Sequence, residues 1–306
     1  MATLGLKKDK EESQQEAIQE NGEQGRLQSL RWLKSLLLDP VNPDDVDGFD
    51  RRMIDIFRPF AEGLAKHYLR MEIKGWENIP DGPALMVGNH NAGITFLETF
   101  GLGSRWYDRR PDDILHWLVH DSMLAMPGLR TVLVRGGCVR ASHRTSDMAL
   151  DLGRKVIVFP GGNLEAFRPY KERYKIVFGG HKGFVRLALR HQVPIVPIVI
   201  VGGHESFYVL HDGRKMARML GIKRFLRSDT CPIFVGLPWG LGVGPIFHLH
   251  LPTKSQIRIL PPIHVKDFGK GEDDEQIVAS VYKAVTESMQ GIMDEVAAQR
   301  RFPVLG

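Results

Sequence analysis

The chain has 306 residues, of which 43% are hydrophobic and 25% are charged. This balance is typical of a soluble globular protein with a large core, and it excludes disorder, collagen and coiled coil for the whole chain. Lys and Arg number 41 against 36 Asp and Glu, an excess that favours anionic partners: phospholipid headgroups, coenzyme A phosphates and nucleic acid alike.

The amino terminus predicts a flexible tail. Residues 1–24 are rich in Lys, Glu and Gln with few large apolar side chains, so burial cannot offset the entropy of ordering them. They contain no apolar run of a secretory signal, and the longest weakly charged stretch, 237–252, is broken by Gly and Pro. We therefore expect no membrane span and a place in the cytosol or on the cytoplasmic face of a membrane.

The two cysteines are isolated in the sequence. Cys138 and Cys231 have neither the pattern of a disulfide framework nor metal-ligand spacing. They predict a reducing compartment, with no redox chemistry and no metal.

Two helices are predicted within residues 25–70. Residues 27–38 repeat leucines at helical spacing with basic residues between them, and Asp39-Pro40 ends the pattern. Asp50 is expected to cap a second helix, in which Pro59 predicts a kink or an early break. Both helices have the character of membrane-surface helices, although packing against the rest of the domain would produce the same pattern.

From residue 71 onward, short apolar runs alternate with helical segments and turn residues. The pattern predicts an α/β fold with a mixed, mostly parallel central sheet flanked by helices, forming one domain over residues 71–306. Strands are predicted at 71–74, 84–87, 132–134, 156–159, 195–201 and 256–260, and helices at 145–152, 182–191 and 273–298.

The first chemical motif is the segment 87–93, Val-Gly-Asn-His-Asn-Ala-Gly. It places His90 at the carboxyl end of a strand, which is where open α/β sheets bind ligands. Histidine suits a general base near neutral pH when an acid orients its ring, and Glu98 and Asp121 are the candidates for that acid. A purely structural His that caps the following helix fits the position equally well.

The second motif is 156–165, Val-Ile-Val-Phe-Pro-Gly-Gly-Asn-Leu-Glu. A buried strand here ends in Gly161-Gly162, whose backbone N–H groups can approach an oxyanion, and Asn163 and Glu165 can cap the next element. By itself the segment is more typical of an ordinary Gly-Gly turn. The third, 193–198, is Val-Pro-Ile-Val-Pro-Ile, a buried strand interrupted by proline.

Taken together and in this order, the three segments resemble the glycerophospholipid acyltransferase superfamily (PlsC-like). Its members share an Asn-His motif, a Phe-Pro-Glu/Gly-Gly motif and a Val-Pro-Ile-Val-Pro motif, and the resemblance covers about residues 71–262. It is closest to the monoacylglycerol/diacylglycerol acyltransferase-like branch, whose pattern also includes Gly-Phe-Val-Arg-Leu-Ala at 183–188.

The resemblance implies transfer of a fatty acyl group from a coenzyme A or acyl carrier protein thioester to a lipid hydroxyl. His90 would be the general base, and a backbone N–H of Gly161 or Gly162 would stabilise the oxyanion. No metal or redox cofactor is implied. The implied partners are the acyl donor, a lipid acceptor and a membrane surface that the protein contacts peripherally, without nucleic acid.

The chain departs from the family pattern beside the histidine. The usual Asp five residues after it is Thr95 here, so Glu98, the nearest downstream acid, is preferred over Asp121 for orienting His90.

A second departure concerns phosphate binding. Phospholipid-making relatives carry an Arg just after the Gly turn, where this chain has Leu164 and Glu165, and the Arg that usually ends another block is replaced by His143 with Arg144 beside it. This favours a neutral glycerolipid or alcohol as acceptor. Lysophosphatidate or another lysophospholipid stays open, because three arginines could converge on a phosphate: Arg135, Arg140 and Arg144.

Other classes fit less well. An esterase would need a Gly-x-Ser-x-Gly nucleophile motif, which the sequence lacks. A non-enzymatic basic lipid-binding protein would have no use for His90 beside a Gly-Gly turn. His116 and His120, four residues apart, suggest a metal pair on one helix, although structural histidines are commoner. The basic residues of 168–175 suit either coenzyme A phosphates or a solvated loop.

Overall fold

The computed structural model describes residues 28, 31, 32, 34, 35, 39–90, 92–94, 97–222, 224, 228–244, 246–302, 304 and 305. The tail predicted at 1–24 and most of the first predicted helix therefore lie outside the described residues. Trp32 of that helix is described, and its indole N–H donates to Asp50 Oδ2 at 3.1 Å.

Two sheets organise the chain. The strands are β1 (Glu72–Lys74), β2 (Ala84–Gly88), β3 (Leu115–Val119), β4 (Cys138–Arg140), β5 (Lys155–Val158), β6 (Ile195–Val201), β7 (Tyr208–His211), β8 (Ile233–Gly236), β9 (Gly240–Val243) and β10 (Gln256–Ile259). The central sheet has the order β1-β10-β6-β2-β5-β3-β4, and a small sheet has the order β7-β8-β9. Strands β6, β2, β5, β3 and β4 run parallel, whereas β10 is antiparallel to β6.

Helices surround the central sheet. They are α1 (Arg51–Gly63), α2 (Leu97–Arg109), α3 (Asp121–Leu124), α4 (Pro127–Arg135), α5 (His143–Asp151), α6 (Gly162–Ala166), α7 (Gly183–His191), α8 (Gly203–Ser206), α9 (Arg214–Met219) and α10 (Glu275–Ala298). The mixed, mostly parallel sheet flanked by helices confirms the predicted fold class. None of the helices in the described part of the chain is long and apolar enough to cross a membrane.

Each face of the central sheet is buried under different helices. Leu85 of β2 belongs to the core that α7 and α10 cover, whereas the next residue, Met86, belongs to the core on the other face. That second core contains Leu102 and Trp106 of α2. Successive residues of one strand point to opposite faces, so a sheet covered on both sides needs the continuous apolar strands seen in the sequence.

Aspartates cap two of the helices. Asp50 caps α1 as predicted, by accepting from the Arg52 N–H at 3.0 Å, and Asp274 caps α10. The early break expected at Pro59 is wrong, because α1 continues to Gly63 and a π-helical turn follows over Leu64–Tyr68.

The strand predicted at 132–134 is also wrong. These residues belong to α4, which has Pro127 in its first turn and ends before Gly136 and Gly137. A proline in the first turn and a glycine just past the last turn are typical of a helix. Leu133 and Val134 are buried in a small separate core rather than in the sheet. A three-residue apolar run carries too little periodicity to outweigh the proline and glycine signals.

The histidines proposed as a helical metal pair lie elsewhere. His116 is buried in β3, where its Nδ1 lies 3.2 Å from the Gly137 carbonyl, and burial lowers the pKa of its imidazole to about 4. His120 follows the strand and caps α3. Because β3 ends at Val119, between these two residues, they do not share a helical face.

Candidate active site

The sequence motifs come together at one edge of the central sheet. Strands β5, β2 and β6 are parallel neighbours, so their carboxyl ends lie side by side. His90 follows β2, the Gly161-Gly162 turn follows β5, and His204 follows β6. This is the edge at which α/β sheets bind ligands.

Asn89 joins two of these strands. Its side chain is fully buried, accepts from the Ile200 N–H at 2.7 Å and donates to the Ile200 carbonyl at 2.9 Å. An amide that pairs with both backbone groups of one residue substitutes for a pair of strand hydrogen bonds. The asparagine of the motif therefore fixes the end of β2 to β6.

The backbone of His90 is held from both sides. Its N–H donates to Glu165 Oε2 at 2.7 Å, and its carbonyl accepts from His204 Nε2 at 3.1 Å. Its half-buried ring lies 5.6 Å, centroid to centroid, from the ring of Phe159. The main chain that carries the imidazole is thus fixed by two buried side chains.

A glycine lets Phe159 approach the motif. A Cβ on Gly88 would lie 2.6 Å from the Phe159 ring, so a larger residue at position 88 would displace it. Phe159 also stacks on Trp117 of β3, with centroids 6.4 Å apart. An aromatic wall therefore flanks His90.

Glu165 is engaged by protein donors. Besides the His90 N–H, it accepts from the Val177 N–H at 3.0 Å and pairs with Arg168 at 3.0 Å, and both side chains of the pair are buried. A carboxylate with this many partners organises the loops around it. The pairing also engages Arg168, one of the basic residues considered for coenzyme A phosphates.

The glycine turn is tightly packed on one side. A Cβ on Gly161 would lie 2.5 Å from Glu165 Oε2 and 2.6 Å from the Val177 carbonyl. Gly162 has a φ of +48° and closes the turn by donating its N–H to the Phe159 carbonyl at 3.2 Å. Asn163 is exposed in the first turn of α6.

Glu98 is completely buried in the first turn of α2, and burial raises its pKa to about 7. The alternative acid, Asp121, pairs with Arg140 at 2.6 Å. Arg140 also pairs with Asp44 at 2.7 Å, while Arg144 is exposed on α5.

The sequence reading missed His204. It is buried, and desolvation lowers its pKa well below the ordinary value, so the neutral ring donates from Nε2 to His90. Its position directly after β6, at the functional edge of the sheet, was the available signal.

Two further histidines pack against the segment that follows His204. The ring of His248 stacks on Phe207 with centroids 3.8 Å apart, and His250 Nδ1 lies 2.7 Å from Ser206 Oγ. Both histidines are buried. No group of three or more His, Cys, Asp or Glu in the described part of the chain is arranged to hold a metal ion.

Comparison with known proteins identifies the family. The family model described as Acyltransferase matches residues 70–201. An uncharacterized protein of Mycobacterium tuberculosis is 30% identical over 261 residues, which is 84% of this chain and 70% of that protein. The chain belongs to this acyltransferase family.

Two other similarities bear on this acyltransferase. A Gallus gallus protein named "DGAT1/2-independent enzyme synthesizing storage lipids" is 29% identical over 181 residues, or 58% of this chain and 51% of that one. The crystal structure of the 1-acyl-sn-glycerophosphate acyltransferase PlsC from Thermotoga maritima aligns with a TM-score of 0.50 and 18% identity, covering 83% of this chain and 85% of that one. At that identity it supports the fold alone.

Proposed function

We propose that this acyltransferase moves a fatty acyl group from a coenzyme A or acyl carrier protein thioester to the hydroxyl of a lipid acceptor. The observation that carries the proposal is the fixed backbone of His90 beside the Gly161-Gly162 turn, at the carboxyl edge of the sheet. Family membership supplies the reaction class, and the relative named for storage-lipid synthesis supports a glycerolipid substrate.

In the proposed reaction, the His90 imidazole takes the proton of the acceptor hydroxyl as its oxygen attacks the thioester carbonyl. The C–O bond forms and the carbonyl becomes a tetrahedral oxyanion. Collapse of that intermediate breaks the C–S bond, and the departing thiolate takes the proton from His90. The products are an ester and a free thiol, so the reaction needs no redox partner.

The oxyanion requires a hydrogen-bond donor that is in place before the reaction. Gly162 uses its N–H within the turn, and no described residue accepts from the N–H of Gly161. We assign the oxyanion contact to Gly161. Glu165 is then a positioning residue that holds both His90 and this turn, and Glu98 is the proposed acid that orients the imidazole.

We propose a neutral acceptor alcohol, such as a monoacylglycerol or diacylglycerol. Arg140 is held by two carboxylates, and Arg168 is buried against Glu165. A phosphate headgroup would have to compete with these pairs for the guanidinium groups.

The proposed place of action is a membrane surface on the cytoplasmic side. Helix α1 exposes three large apolar side chains, Ile56 (52%), Phe57 (44%) and Phe60 (72%). The face of α1 that these three side chains form is suited to peripheral contact with lipid.

The test is acyl transfer from radiolabelled palmitoyl-coenzyme A to a panel of acceptors in micelles. We expect neutral-lipid products from the wild type and a loss of about 100- to 10,000-fold in turnover for His90→Ala. The matched control is His264→Ala, because His264 is exposed and follows Ile263, which pairs with Ile195 at the opposite, amino end of β6.

Each other outcome identifies a specific error. Full activity in His90→Ala would overturn the general-base assignment. Phosphatidate or phospholipid products would overturn the neutral acceptor. Thiol release without an acylated lipid would indicate hydrolysis, and comparable losses in both histidine variants would point to damage to the fold.

A further inference from the structure

The small sheet β7-β8-β9 covers the loop that follows His90. On its inner face, Val209 and Phe234 are buried in one core with Ala92 of that loop and Ala166 of α6. Gly242 permits this packing, because a Cβ there would lie 2.4 Å from the Phe234 ring. The sheet is therefore firmly attached beside the candidate site.

The outer face of this sheet is apolar where an antiparallel sheet normally presents polar residues to water. Val235 of β8 and Leu241 of β9 are direct cross-strand partners, and 46% and 68% of these residues are exposed. Val243 follows on the same face with 52% exposed. Three neighbouring exposed apolar side chains on two strands form a patch rather than scattered surface residues.

The apolar surface continues around the tip of the β8-β9 hairpin. The Leu249 N–H donates to the Leu237 carbonyl at 2.8 Å, and the Trp239 indole N–H donates to the Phe247 carbonyl at 2.5 Å. These bonds hold residues 246–249 against the turn. The four residues that these bonds join are each about half exposed: Leu237, Trp239, Phe247 and Leu249.

The polarity of the 246–250 segment is inverted. The polar side chains of His248 and His250 are buried in the protein. The apolar side chains of the alternating residues, Phe247 and Leu249, are exposed. Residues 230–253 contain no Asp, Glu, Lys or Arg. A surface loop in water would place polar residues outside, so this pattern fits an apolar medium on the outer side.

Basic residues border the patch. Helix α9 starts beside the hairpin, since the Cys231 N–H donates to the Asp212 carbonyl at 3.1 Å, and it exposes Lys215 and Arg218. An apolar surface with a Trp at its rim and cations at its border matches the acyl and headgroup layers of an anionic bilayer.

We propose that the β8-β9 hairpin and residues 246–249 form a membrane-docking surface that inserts among the headgroups of a bilayer containing anionic lipid. We call this surface the docking hairpin; its exposed members are Leu237, Trp239, Leu241, Val243, Phe247 and Leu249. Docking there would bring the His90 loop, against which the hairpin packs, to the lipid surface.

The test is co-sedimentation of the full chain with phosphatidylcholine vesicles, with and without phosphatidylglycerol. For Trp239→Ser with Leu241→Ser, we expect the partition coefficient to fall about tenfold or more, because both side chains lose apolar burial. The matched control is Leu152→Ser at the end of α5, where 54% of the leucine is exposed, and it should bind as the wild type does.

The charge contribution has its own variant. Lys215→Gln with Arg218→Gln should weaken binding roughly 5-fold per charge on vesicles with phosphatidylglycerol and should change nothing on phosphatidylcholine alone. Thermal unfolding of every variant distinguishes loss of binding from loss of fold.

Two results would overturn the proposal. One is unchanged vesicle binding in the hairpin variants. The other is a wild-type dimer in light scattering that the hairpin variants dissociate without any change in vesicle binding, which would make the hairpin an interface between copies. His90→Ala should bind vesicles normally, so failure of the proposed reaction and failure of docking are distinguishable.

Discussion

Glu98 makes stability depend on pH in an unusual direction for a carboxylate. Its pKa of about 7 lies above the ordinary 4.5, so the folded protein keeps a proton that the unfolded chain has released. Stability should therefore fall as pH rises from about 4.5 to about 7 and then stay level, a loss on the order of 3 kcal/mol. A glutamine does not titrate, so the unfolding free energy of Glu98→Gln should lack this decrease and should be larger than that of the wild type at pH 8.

Urea unfolding of wild type and variant across this pH range measures the effect. The difference between the two proteins is the relevant quantity, because buried neutral histidines such as His116 oppose it by losing stability at acidic pH. Glu62→Gln, an exposed substitution on α1, is the matched control. A Glu98→Gln difference that is constant with pH would show that this carboxyl does not titrate in the range.

The loop between β2 and α2 contains Gly93, which packs closely against His248. Gly93 has a φ of +69°, and a Cβ there would lie 2.0 Å from His248 Nε2. Gly153 after α5 has a φ of +74° and open space around it. We expect Gly153→Ala to cost about 1 kcal/mol of unfolding free energy and Gly93→Ala about 1–3 kcal/mol more, with loss of acyl transfer.

The two alanine variants share the backbone strain, so their difference isolates the contact with His248. Urea unfolding gives the free energies, and the palmitoyl transfer assay gives the activity. Equal destabilisation of the two variants would mean that His248 moves aside without cost.

Across the whole molecule, a buried ion pair connects the carboxyl-terminal end to the site edge. Arg300, just beyond α10, donates from Nε to Glu205 Oε1 at 2.6 Å and also contacts the Lys254 carbonyl and Gln256. Glu205 follows His204. Arg300→Ala should cost about 3–5 kcal/mol, because it leaves Glu205 buried without its counterion.

Arg300→Lys keeps the charge but loses the forked geometry, and we expect it to recover only part of that loss. The exposed neighbour Arg301 provides the control, Arg301→Ala, which should change the unfolding free energy little. Similar unfolding free energies for Arg300→Ala and Arg301→Ala would contradict the role of the ion pair.

Local sequence patterns predicted the fold class and part of the elements. Continuous apolar strands, helical periodicity and a cap such as Asp50 are local signals, so they predicted the α/β class and the positions of β1, β2, β5, β6 and β10. Parallel strands align their carboxyl ends, so motifs at strand ends had to meet at one edge, and His90 and Gly161 do meet there.

The contacts within that edge came from the tertiary structure alone. Glu165 binding the His90 backbone, His204 donating to it from beyond β6 and the apolar outer face of the docking hairpin all depend on residues distant in sequence. The hydrophobic periodicity of a sequence indicates which residues are buried. The hydrogen-bond partner of a buried polar group depends instead on the order of the strands in the sheet.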